Sequence, residues 1–583
     1  MDPANRNTAL ASAFVEELER CGVRHAVIAP GSRSTPLALA LSRASGIETR
    51  VVIDERSAGF YALGAAQATG RPVPVLCTSG TAAANLHPAV CEADESAVPL
   101  IALTADRPPE LRDIGAGQTI DQLKLYGSAV RWFCEVGTHD ANEAGLLHYR
   151  STACRAYAVA GGEPRPGPVH LNLPWREPLG DAPAEGEVTA TSELALNGRR
   201  GRPLTAAPHA GAPAPSEALL DVMAGHFRDC PRGLIVCGRQ LHGALAEPVA
   251  ELARASGYPV LAEPTSQLRF GGHDRSNVIT MYGAIAAGRP SDLEPQLILR
   301  LGEMPTSKPL RIWLAGLERA QQHVIDASGG WNEPTRIATS VLRVDATGLA
   351  GGLAGRMSVG DSDWAPSWRA ADRAAAEAVD ELLSGGALSE PAAHRALASA
   401  YEDGDLVYTA SSLPIRDQES YAPGTDASVR FLCNRGANGI DGLVSSGIGA
   451  ATATRQPSWI LTGDLGLFHD LNSLALLRDA SAPVRVVVFD NQGGGIFERL
   501  PQASEIGREE FEALFGTPSG LDASSAAALW GLSHHRVERP DEIAATTAAG
   551  AELIEIRTDR RAGFALRAEL ERAATEAAAA ALS

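Results

Sequence analysis

The chain has 583 residues, which exceeds what one hydrophobic core supports, so we expect two to four domains. Hydrophobic residues make up 45% and charged residues 21%, a composition typical of a folded globular protein that excludes wholesale disorder. The formal net charge of −19 argues against nucleic acid or an anionic membrane as a partner, because both require a basic surface. Any anionic ligand must therefore be bound by local basic residues.

Signals for membrane insertion and export are not evident. No apolar run approaches the roughly 20 residues that a membrane span needs. The first residues, MDPANRNTALASAFVEELERCG, lack the basic and apolar regions of a secretory signal. The eight cysteines show no CxxC spacing, which favours free buried thiols over disulfides or a metal site. These features predict a cytoplasmic protein.

Residues 1–185 alternate short apolar runs with helical patterns. The predicted strands are HAVIAPG, TRVVID, VPVLCTSG and VPLIALTAD, and segments such as STPLALALSRA and ERSAGFYALGAAQATG are predicted to form the helices between them. This alternation is typical of a mostly parallel sheet covered by helices. Each predicted strand ends in a polar or glycine-bearing loop, and ligands of open α/β sheets bind outside these carboxyl ends.

Two more α/β segments follow. Residues 186–217 are rich in Pro, Gly, Ala and Ser, which predicts a linker. A central domain over 218–360 contains the predicted strands GLIVCG, YPVLAE, LILRLG and QHVIDA. A last domain over 385–583 contains DLVYTASS, VRFLCNRG, SWILTGD, PVRVVVFDNQGGG and AELIEIRTD. The predicted fold class is α/β, with three open parallel-sheet domains in series.

Polar residues follow two consecutive strands of the last domain. Asp464 lies directly behind Gly463, where an unpaired buried charge is costly, so it either caps the following helix or binds something charged. Asn491 has a similar place after the next strand. Oxygen ligands of this kind suit Mg²⁺, which takes its other ligands from phosphate and water. A helix predicted to begin near Asp470 would favour phosphate through its dipole.

Simpler interpretations of these motifs stay open. Asp464 can be an N-cap, and the glycines at 493–495 can form a plain turn. Glu55, at the start of a predicted helix, can be an ordinary first-turn acid. A carboxylate facing an apolar slot can instead share a proton with a nitrogen heterocycle. GSRSTP has no lysine behind it and is not a phosphate-binding loop of the Walker type.

Taken together, these motifs resemble the thiamine diphosphate-dependent enzymes. The closer resemblance is to the 2-succinyl-5-enolpyruvyl-6-hydroxy-3-cyclohexene-1-carboxylate (SEPHCHC) synthases of menaquinone biosynthesis. It rests on APGSRSTPLALAL, IDERSAGFYALG, TSGTAAANLHPAV, TADRPPELRDIGAGQTIDQ, GPVHLNLPWREPL, SSLPIRD, NRGANGIDG, GDLGLFHDLNSL and DNQGGGIFERLP. These stretches cover most of the first and last domains, and the central domain matches mainly through LGEMPTSKPL.

The resemblance implies a transferase reaction. Thiamine diphosphate would support decarboxylation of 2-oxoglutarate, and the succinyl semialdehyde carbanion would add to isochorismate in a conjugate addition. The three domains would be the pyrimidine-binding, central and diphosphate-binding domains, in that order. Glu55 matches the glutamate that hydrogen-bonds the aminopyrimidine N1′.

The resemblance also implies the other site residues. The ligands of Mg²⁺ or Mn²⁺ would be Asp464, Asn491 and the carbonyl of Gly493. Further cofactor contacts would be Ser79, Gly463, Leu465, Gly494, Ile496 and Phe497. Ser412, Arg416 and Arg435 are expected at the succinyl carboxylate, and Ser32, Arg33, Gln118 and Lys308 at isochorismate. Arg107, Phe497 and Leu500 complete the substrate contacts, and Arg33, Arg416 and Arg435 are also candidate catalytic residues. Gly117 stands where the family often has asparagine.

Enzymes of this kind build their sites between the pyrimidine domain of one chain and the diphosphate domain of another. The resemblance therefore implies a homodimer or homotetramer. One alternative is another thiamine diphosphate-dependent 2-oxoacid decarboxylase or carboligase, but a pyruvate-type donor needs no second carboxylate clamp such as Arg416 and Arg435. A non-catalytic diphosphate- or nucleotide-binding regulatory protein would keep the metal site without needing Glu55.

Overall fold

The computed structural model describes residues 5–162, 165–207, 211–241, 243–357, 363–480, 482–545 and 550–582. These residues form three six-stranded sheets, one after another along the chain. All the strand pairings within the sheets are parallel. The predicted α/β class with three open parallel sheets is confirmed.

The first sheet has the strand order β2-β1-β3-β4-β6-β5. Its strands are β1 His25–Ile28, β2 Glu48–Val51, β3 Val73–Cys77, β4 Leu100–Asp106, β5 Trp132–Glu135 and β6 Val169–Pro174. Its helices are α1 Arg6–Cys21, α2 Thr35–Arg43, α3 Glu55–Thr69, α4 Thr81–Asn85, α5 His87–Glu95, α6 Glu143–Gly161 and α7 Glu193–Asn197, with a 3₁₀ turn at Pro109–Leu111. The central strands β3, β4 and β6 are buried along their whole length, as expected for parallel strands covered on both faces.

The second sheet has the order β12-β11-β10-β7-β8-β9. Strands are added to one side of β7 as far as β9, and then to its other side from β10 onwards. Its strands are β7 Gly233–Cys237, β8 Val260–Ala262, β9 Val278–Ile279, β10 Leu297–Leu301, β11 Gln321–Ile325 and β12 Ser340–Leu342. Its helices are α8 Glu217–Asp229, α9 Ala246–Ser256, α10 Tyr282–Gly288, α11 Lys308–Gly316, α12 Ala346–Ala354 and α13 Trp364–Leu383, with 3₁₀ turns at Gly243–Leu245, Pro264–Ser266 and Ser291–Leu293. This order is that of a doubly wound nucleotide-binding sheet.

The third sheet, β14-β13-β15-β16-β18-β17, repeats the relative strand order of the first. Its strands are β13 Leu406–Thr409, β14 Arg430–Leu432, β15 Ser458–Gly463, β16 Val484–Asp490, β17 Ser533–Val537 and β18 Ala551–Arg557. The helices of this region are α14 Glu390–Ala400, α15 Leu413–Tyr421, α16 Leu443–Thr454, α17 Asp464–His469, α18 Gln502–Glu505, α19 Arg508–Phe511, α20 Ala523–Leu529 and α21 Arg560–Ala580. Leu471–Asp479, Gly495–Arg499 and Pro540–Ala545 are 3₁₀ helices, and Glu512–Gly516 is a π-helical turn.

Contacts between residues divide the chain into two compact units, which differ from a simple serial division. Unit 1 contains the described residues of Met1–Ala210, Asn434–Arg455 and Asp470–Ser481, and therefore the first sheet with α16. Unit 2 contains those of Gly211–Cys433, Gln456–His469 and Ala482–Ser583, and therefore the second and third sheets. The domain boundaries expected from the sequence stay a prediction, and part of the central domain's end, 358–360, lies outside the described residues.

Two local expectations need correction or refinement. The helix expected near Asp470 is present as the 3₁₀ helix Leu471–Asp479, and a separate short helix, α17, precedes it at Asp464–His469. Asp470 accepts hydrogen bonds from the backbone N–H and hydroxyl of Ser445 within unit 1. The predicted linker contains α7, whose Ala195 is fully buried, while its residues 208–210 lie outside the described part of the chain. In the described chain, none of the helices combines the length and apolar character needed to cross a membrane.

Candidate active site

The third sheet brings Asp464 and Asn491 to the same edge. Gly463, the last residue of β15, pairs with Phe489 of the neighbouring parallel strand β16. Asp464 follows directly, and Asn491 follows Asp490 at the end of β16. The carboxyl ends of adjacent parallel strands lie together, so the two predicted ligands are neighbours, as the strand-end pattern indicated.

Burial and a second carboxylate set the electrostatics of Asp464. Its side chain is only 3% exposed, and burial together with the negative charge of Asp490 raises the pKa of the Asp464 carboxyl to about 7. Backbone N–H groups of Leu465 and Gly493 lower this pKa only in part. Asp464 is the first residue of α17, and its Oδ2 is buried without a hydrogen-bond partner among the described residues. Hydrogen bonds to the backbone therefore do not account for the second oxygen of this carboxylate.

Asn491 has one satisfied and one unsatisfied end. Its Nδ2 donates a 2.7 Å hydrogen bond to Oε1 of Glu390. Its Oδ1 is buried and, within the described chain, accepts no hydrogen bond. Buried polar atoms are nearly always satisfied, so these two oxygens at adjacent strand ends are available to bind an electropositive group.

The glycines after Asn491 form a tight turn with an available carbonyl. Gly493 has φ +130°, and a Cβ there would lie 2.0 Å from the carbonyl oxygen of Gly516. The N–H of Gly495 donates to the Gly493 carbonyl at 2.8 Å, which leaves that oxygen a second lone pair. The turn alternative is thus correct for the backbone, and it is compatible with a ligand role for Gly493.

This donor set fits a hard divalent cation. It offers a carboxylate, an amide and a carbonyl oxygen, which are the ligands that Mg²⁺ and Mn²⁺ take in proteins. No group of three His, Cys, Asp or Glu side chains in the described ranges is placed to share a metal, which argues against a zinc-type site. The cation would need the amide and the carbonyl as well as Asp464.

The predicted apolar contacts lie beside this turn. Ile496 and Phe497 are half-buried in the 3₁₀ helix Gly495–Arg499, and the Phe497 ring lies 5.6 Å from that of Phe515, centroid to centroid. Leu500 is 40% exposed, so it is not a core residue within this chain. Leu465 is half-buried in the first turn of α17.

The loop after β13 carries two predicted substrate residues. Ser412 precedes α15 with φ +76° and ψ −135°, a conformation that normally requires glycine, and its side chain makes no capping hydrogen bond. Nη1 of Arg416 donates to the Ser412 carbonyl at 2.5 Å, so the guanidinium is folded back onto the loop. β13 and β15 are adjacent at the point where the strand order reverses, which is where ligands of such sheets bind.

Unit 1 gathers a cationic group at the corresponding edge of the first sheet. Arg107 donates to the hydroxyl of Ser79, and Gln118 donates to the Ser79 carbonyl at 3.0 Å. Burial and the positive charge of Arg33 lower the pKa of the Arg107 guanidinium, so the two arginines are close. Arg33 is 8% exposed, and its Nε is buried without a hydrogen-bond partner among the described residues. Two adjacent guanidinium groups of this kind suit a multiply charged anion.

Glu55 begins α3 but does not cap it. The N-cap is Asp54, whose carboxylate accepts from the N–H groups of Arg56 and Ser57. The Glu55 carboxylate is half-buried and makes no hydrogen bond or ion pair with the described residues. Burial raises the pKa of the Cys77 thiol at the end of β3, and the charge of Glu55 raises it further, which places this carboxylate near the carboxyl edge of the first sheet.

The remaining predicted substrate residues are less constrained by the structure. Arg435 is half-buried and belongs to unit 1, whereas Ser412 and Arg416 belong to unit 2. Lys308 is the exposed first residue of α11 in the second sheet's domain. Ser32 is exposed in the loop after β1, and its carbonyl accepts from the hydroxyl of Thr35.

Known proteins match the chain along nearly its whole length. Residues 8–125 match the family described as thiamine pyrophosphate enzyme, N-terminal TPP binding domain, and residues 428–556 match the corresponding C-terminal TPP binding domain. A SEPHCHC synthase of Myxococcus xanthus (strain DK1622) is 42% identical, with 96% of both chains covered. The chain is also similar to a SEPHCHC synthase of Halorubrum lacusprofundi (strain ATCC 49239 / DSM 5036 / JCM 8891 / ACAM 34), which is 40% identical with 99% of both chains covered. A SEPHCHC synthase of Geobacillus thermodenitrificans (strain NG80-2) is 42% identical, with 94% of this chain and 93% of the relative covered.

Proposed function

We propose roles for the site residues of this chain, which belongs to the SEPHCHC synthase family of thiamine diphosphate-dependent enzymes. The family's function is the synthesis of SEPHCHC for menaquinone biosynthesis, a transferase-type carboligation. Its substrates here would be 2-oxoglutarate and isochorismate. When bound, thiamine diphosphate supplies the electron sink for loss of carbon dioxide and for formation of the new carbon–carbon bond.

The observation that carries the cofactor assignment is the pair of orphaned buried oxygens, Asp464 Oδ2 and Asn491 Oδ1. Together with the Gly493 carbonyl they would hold Mg²⁺ or Mn²⁺, and that cation would anchor the diphosphate. Gly494, the next residue of that turn, would lie against the same diphosphate. Gly463, Leu465, Ile496 and Phe497 would complete the binding surface around it.

At the other end of the cofactor, Glu55 would hold a proton at the aminopyrimidine N1′. Its carboxylate is half-buried, and it has no competing partner in the described chain, as that role requires. Ser79, at the end of the neighbouring strand β3, would contact the same ring. If the site is built as the family resemblance implies, these groups and the diphosphate site would lie in different chains, and we propose a homodimer or homotetramer with two-fold symmetric contacts.

The arginines would bind the substrate carboxylates. Arg33 and Arg107, with Ser32, Gln118 and Lys308, would orient isochorismate, because the first two form a cationic pair with an unsatisfied buried Nε. Ser412, Arg416 and Arg435 would bind the distal carboxylate of 2-oxoglutarate. A cytoplasmic location is proposed as well, and the eight free cysteines of the chain support it.

Mass detection of the condensed product tests this proposal. The purified protein, with thiamine diphosphate, Mg²⁺ and both substrates, should yield SEPHCHC and release carbon dioxide from 2-oxoglutarate. Pyruvate should be a poor donor, because it lacks the carboxylate that Arg416 and Arg435 would bind. Glu55→Gln should bind the cofactor yet release little carbon dioxide. Unimpaired release in that variant contradicts the role of Glu55, and pyruvate turnover at the rate of 2-oxoglutarate favours a different carboligase.

A further inference from the structure

Glu390 is a buried carboxylate in direct contact with the proposed ligand Asn491. It is the first residue of α14, and its side chain is 3% exposed. Oε1 accepts from Asn491 Nδ2 at 2.7 Å and from the hydroxyl of Thr558 at 3.2 Å. Residue 390 lies outside the motifs that carry the family resemblance, and the two partners are 101 positions apart in the chain.

The far end of Glu390 is held by the C-terminal helix α21. Arg567 pairs with Oε2 of Glu390 and donates through its Nε to Asp417 at 2.9 Å. Arg567 is only 4% exposed to solvent, and Asp417 only 1%. One guanidinium therefore fixes two buried carboxylates, and Glu390 has no freedom to turn away from Asn491.

The Asn491 amide lies close to the backbone of Gly495. A Cβ at Gly495 would be 2.8 Å from Asn491 Nδ2 and 2.9 Å from Cδ1 of Leu413. A side chain at position 495 would thus press on the amide. The absence of one leaves a slot in which the amide plane packs between this turn and the start of α15.

We propose that Glu390 is a positioning residue, which sets the orientation of the Asn491 amide so that its oxygen, and not its nitrogen, faces the cation. This inference rests on the proposed metal site. With Nδ2 directed to the carboxylate, Oδ1 is directed to the opposite side, where it lacks a partner. The reversed amide would set an oxygen against the Glu390 carboxylate at hydrogen-bond distance, and this repulsion excludes it.

The same contact explains why position 491 carries an amide. An aspartate there would be a stronger cation ligand by charge alone. It would, however, have an oxygen facing Glu390 with no proton between the two carboxylates, an arrangement that costs free energy in a buried setting. Glu390 thus selects a side chain with one donor end and one acceptor end.

The test exchanges the carboxylate and the amide between positions 390 and 491 and measures the affinity for Mn²⁺. The four proteins are the wild type, Glu390→Gln, Asn491→Asp, and the variant with both changes. Free and bound Mn²⁺ are counted by electron paramagnetic resonance at saturating thiamine diphosphate, so catalysis is not needed. In Glu390→Gln the single oxygen of the new amide is drawn to Arg567, and its NH₂ then opposes that of Asn491. We expect Mn²⁺ to bind roughly 10- to 100-fold more weakly, as for other changes behind a metal ligand.

The double variant should bind Mn²⁺ more tightly than Asn491→Asp alone, because the new amide at 390 donates to the new carboxylate at 491. The sign of the Glu390→Gln effect therefore reverses between the two backgrounds. A residue that only stabilises the fold would weaken binding in both. Glu555→Gln is the matched control: Glu555 is also buried in this domain and is paired with His534 at 3.0 Å, and its substitution should leave Mn²⁺ affinity unchanged.

Thermal unfolding of the four proteins without cofactor checks that each is folded. Weaker binding in both backgrounds, or no change in either, overturns the positioning role of Glu390. Absence of Mn²⁺ binding by the wild type with thiamine diphosphate would instead overturn the proposed metal site itself. The two failures are therefore distinguishable.

Discussion

The imidazole of His394 stacks on the ring of Phe489, with centroids 4.6 Å apart and planes inclined by 17°. His394 lies one helical turn after Glu390 in α14, and Phe489 is two residues before Asn491. Neither ring nitrogen of His394 has a hydrogen-bond partner among the described residues. Complete burial lowers the pKa of His394 to about 3, so the native protein keeps this imidazole neutral.

A pH-dependent loss of stability follows from this burial. The unfolded chain protonates His394 near its ordinary pKa of 6.5, whereas the native state does so only near 3. The free energy of unfolding that depends on a neutral His394 is therefore fully present above pH 6.5. It is lost as the pH falls toward 3, by at most about 1.4 kcal/mol per pH unit. His394→Leu should reduce the slope of melting temperature against pH between 6.5 and 4. An unchanged slope contradicts this; His535→Gln, at an exposed position, is the control.

Ser412→Gly should increase stability and decrease activity. Ser412 has φ +76° without a capping hydrogen bond, and such backbone strain costs about 1–3 kcal/mol. Glycine removes this strain, but part of the gain is offset because glycine loses more conformational entropy on folding. We expect a net gain of about 1 kcal/mol, seen as a higher melting temperature, and a higher KM for 2-oxoglutarate because the hydroxyl is lost. Ser42→Gly, in the exposed part of α2, should instead lower stability, by roughly 0.5 kcal/mol. A lower melting temperature for Ser412→Gly would show that this loop is not strained.

The strand ends of the site were predictable from the sequence. In parallel sheets consecutive buried strands bring their carboxyl ends to one edge, so Asp464 and Asn491 could be placed together from spacing alone. The three-sheet organisation followed for the same reason, since apolar runs alternate with helical patterns. Five strands have no clear signal in the sequence. The residues of β5, β12 and β17 are mostly half-buried or exposed, β9 has only two residues, and His170 and Asn172 interrupt the apolar run of β6.

Other features depend on contacts that no local pattern reports. Glu390 lies in LSEPAAHRAL, which reads as an N-cap serine with an ordinary first-turn acid. Its link to Asn491 exists only because the sheet brings distant segments together. The assignment of Arg435 together with Ser412 and Arg416 stays a prediction, and no local pattern indicates that segment Asn434–Arg455 packs into unit 1. The spacing of Leu471, Leu474 and Leu477 does mark a helix, of the 3₁₀ type, but no pattern indicates the separate short helix Asp464–His469 before it.

Arg107→Ala tests the cationic group of the first sheet. Removing this guanidinium should lower kcat/KM for isochorismate roughly 10- to 100-fold, as for the loss of charged hydrogen bonds worth about 1.5–3 kcal/mol. The KM for 2-oxoglutarate should change little, because other arginines are assigned to that substrate. Steady-state kinetics with each substrate varied separately measures both. Arg176→Ala removes an exposed arginine paired with Glu110 and should leave both KM values unchanged; equal effects on the two substrates would refute the assignment.

Gly64→Ala tests the closest approach between α3 and α16 in unit 1. A Cβ at Gly64 would lie 1.8 Å from the carbonyl oxygen of Ser446, and one at Gly449 would lie 2.0 Å from that of Tyr61. Each helix therefore contributes a glycine against the backbone of the other. Alanine at 64 must push the helices apart, and we expect a loss of about 2 kcal/mol or more, measured by chemical unfolding.

The same displacement should reach the chemistry, because Glu55 begins α3 and moves with it. Gly64→Ala is expected to lower the rate of carbon dioxide release as well as stability. Gly351→Ala is the matched control, since Gly351 lies inside α12 with nothing within 4 Å of an added Cβ. There alanine should stabilise the helix by roughly 0.5–1 kcal/mol through its higher propensity. If both substitutions were stabilising, the two helices would not be held at backbone contact, and the position of Glu55 would have to be fixed by other packing.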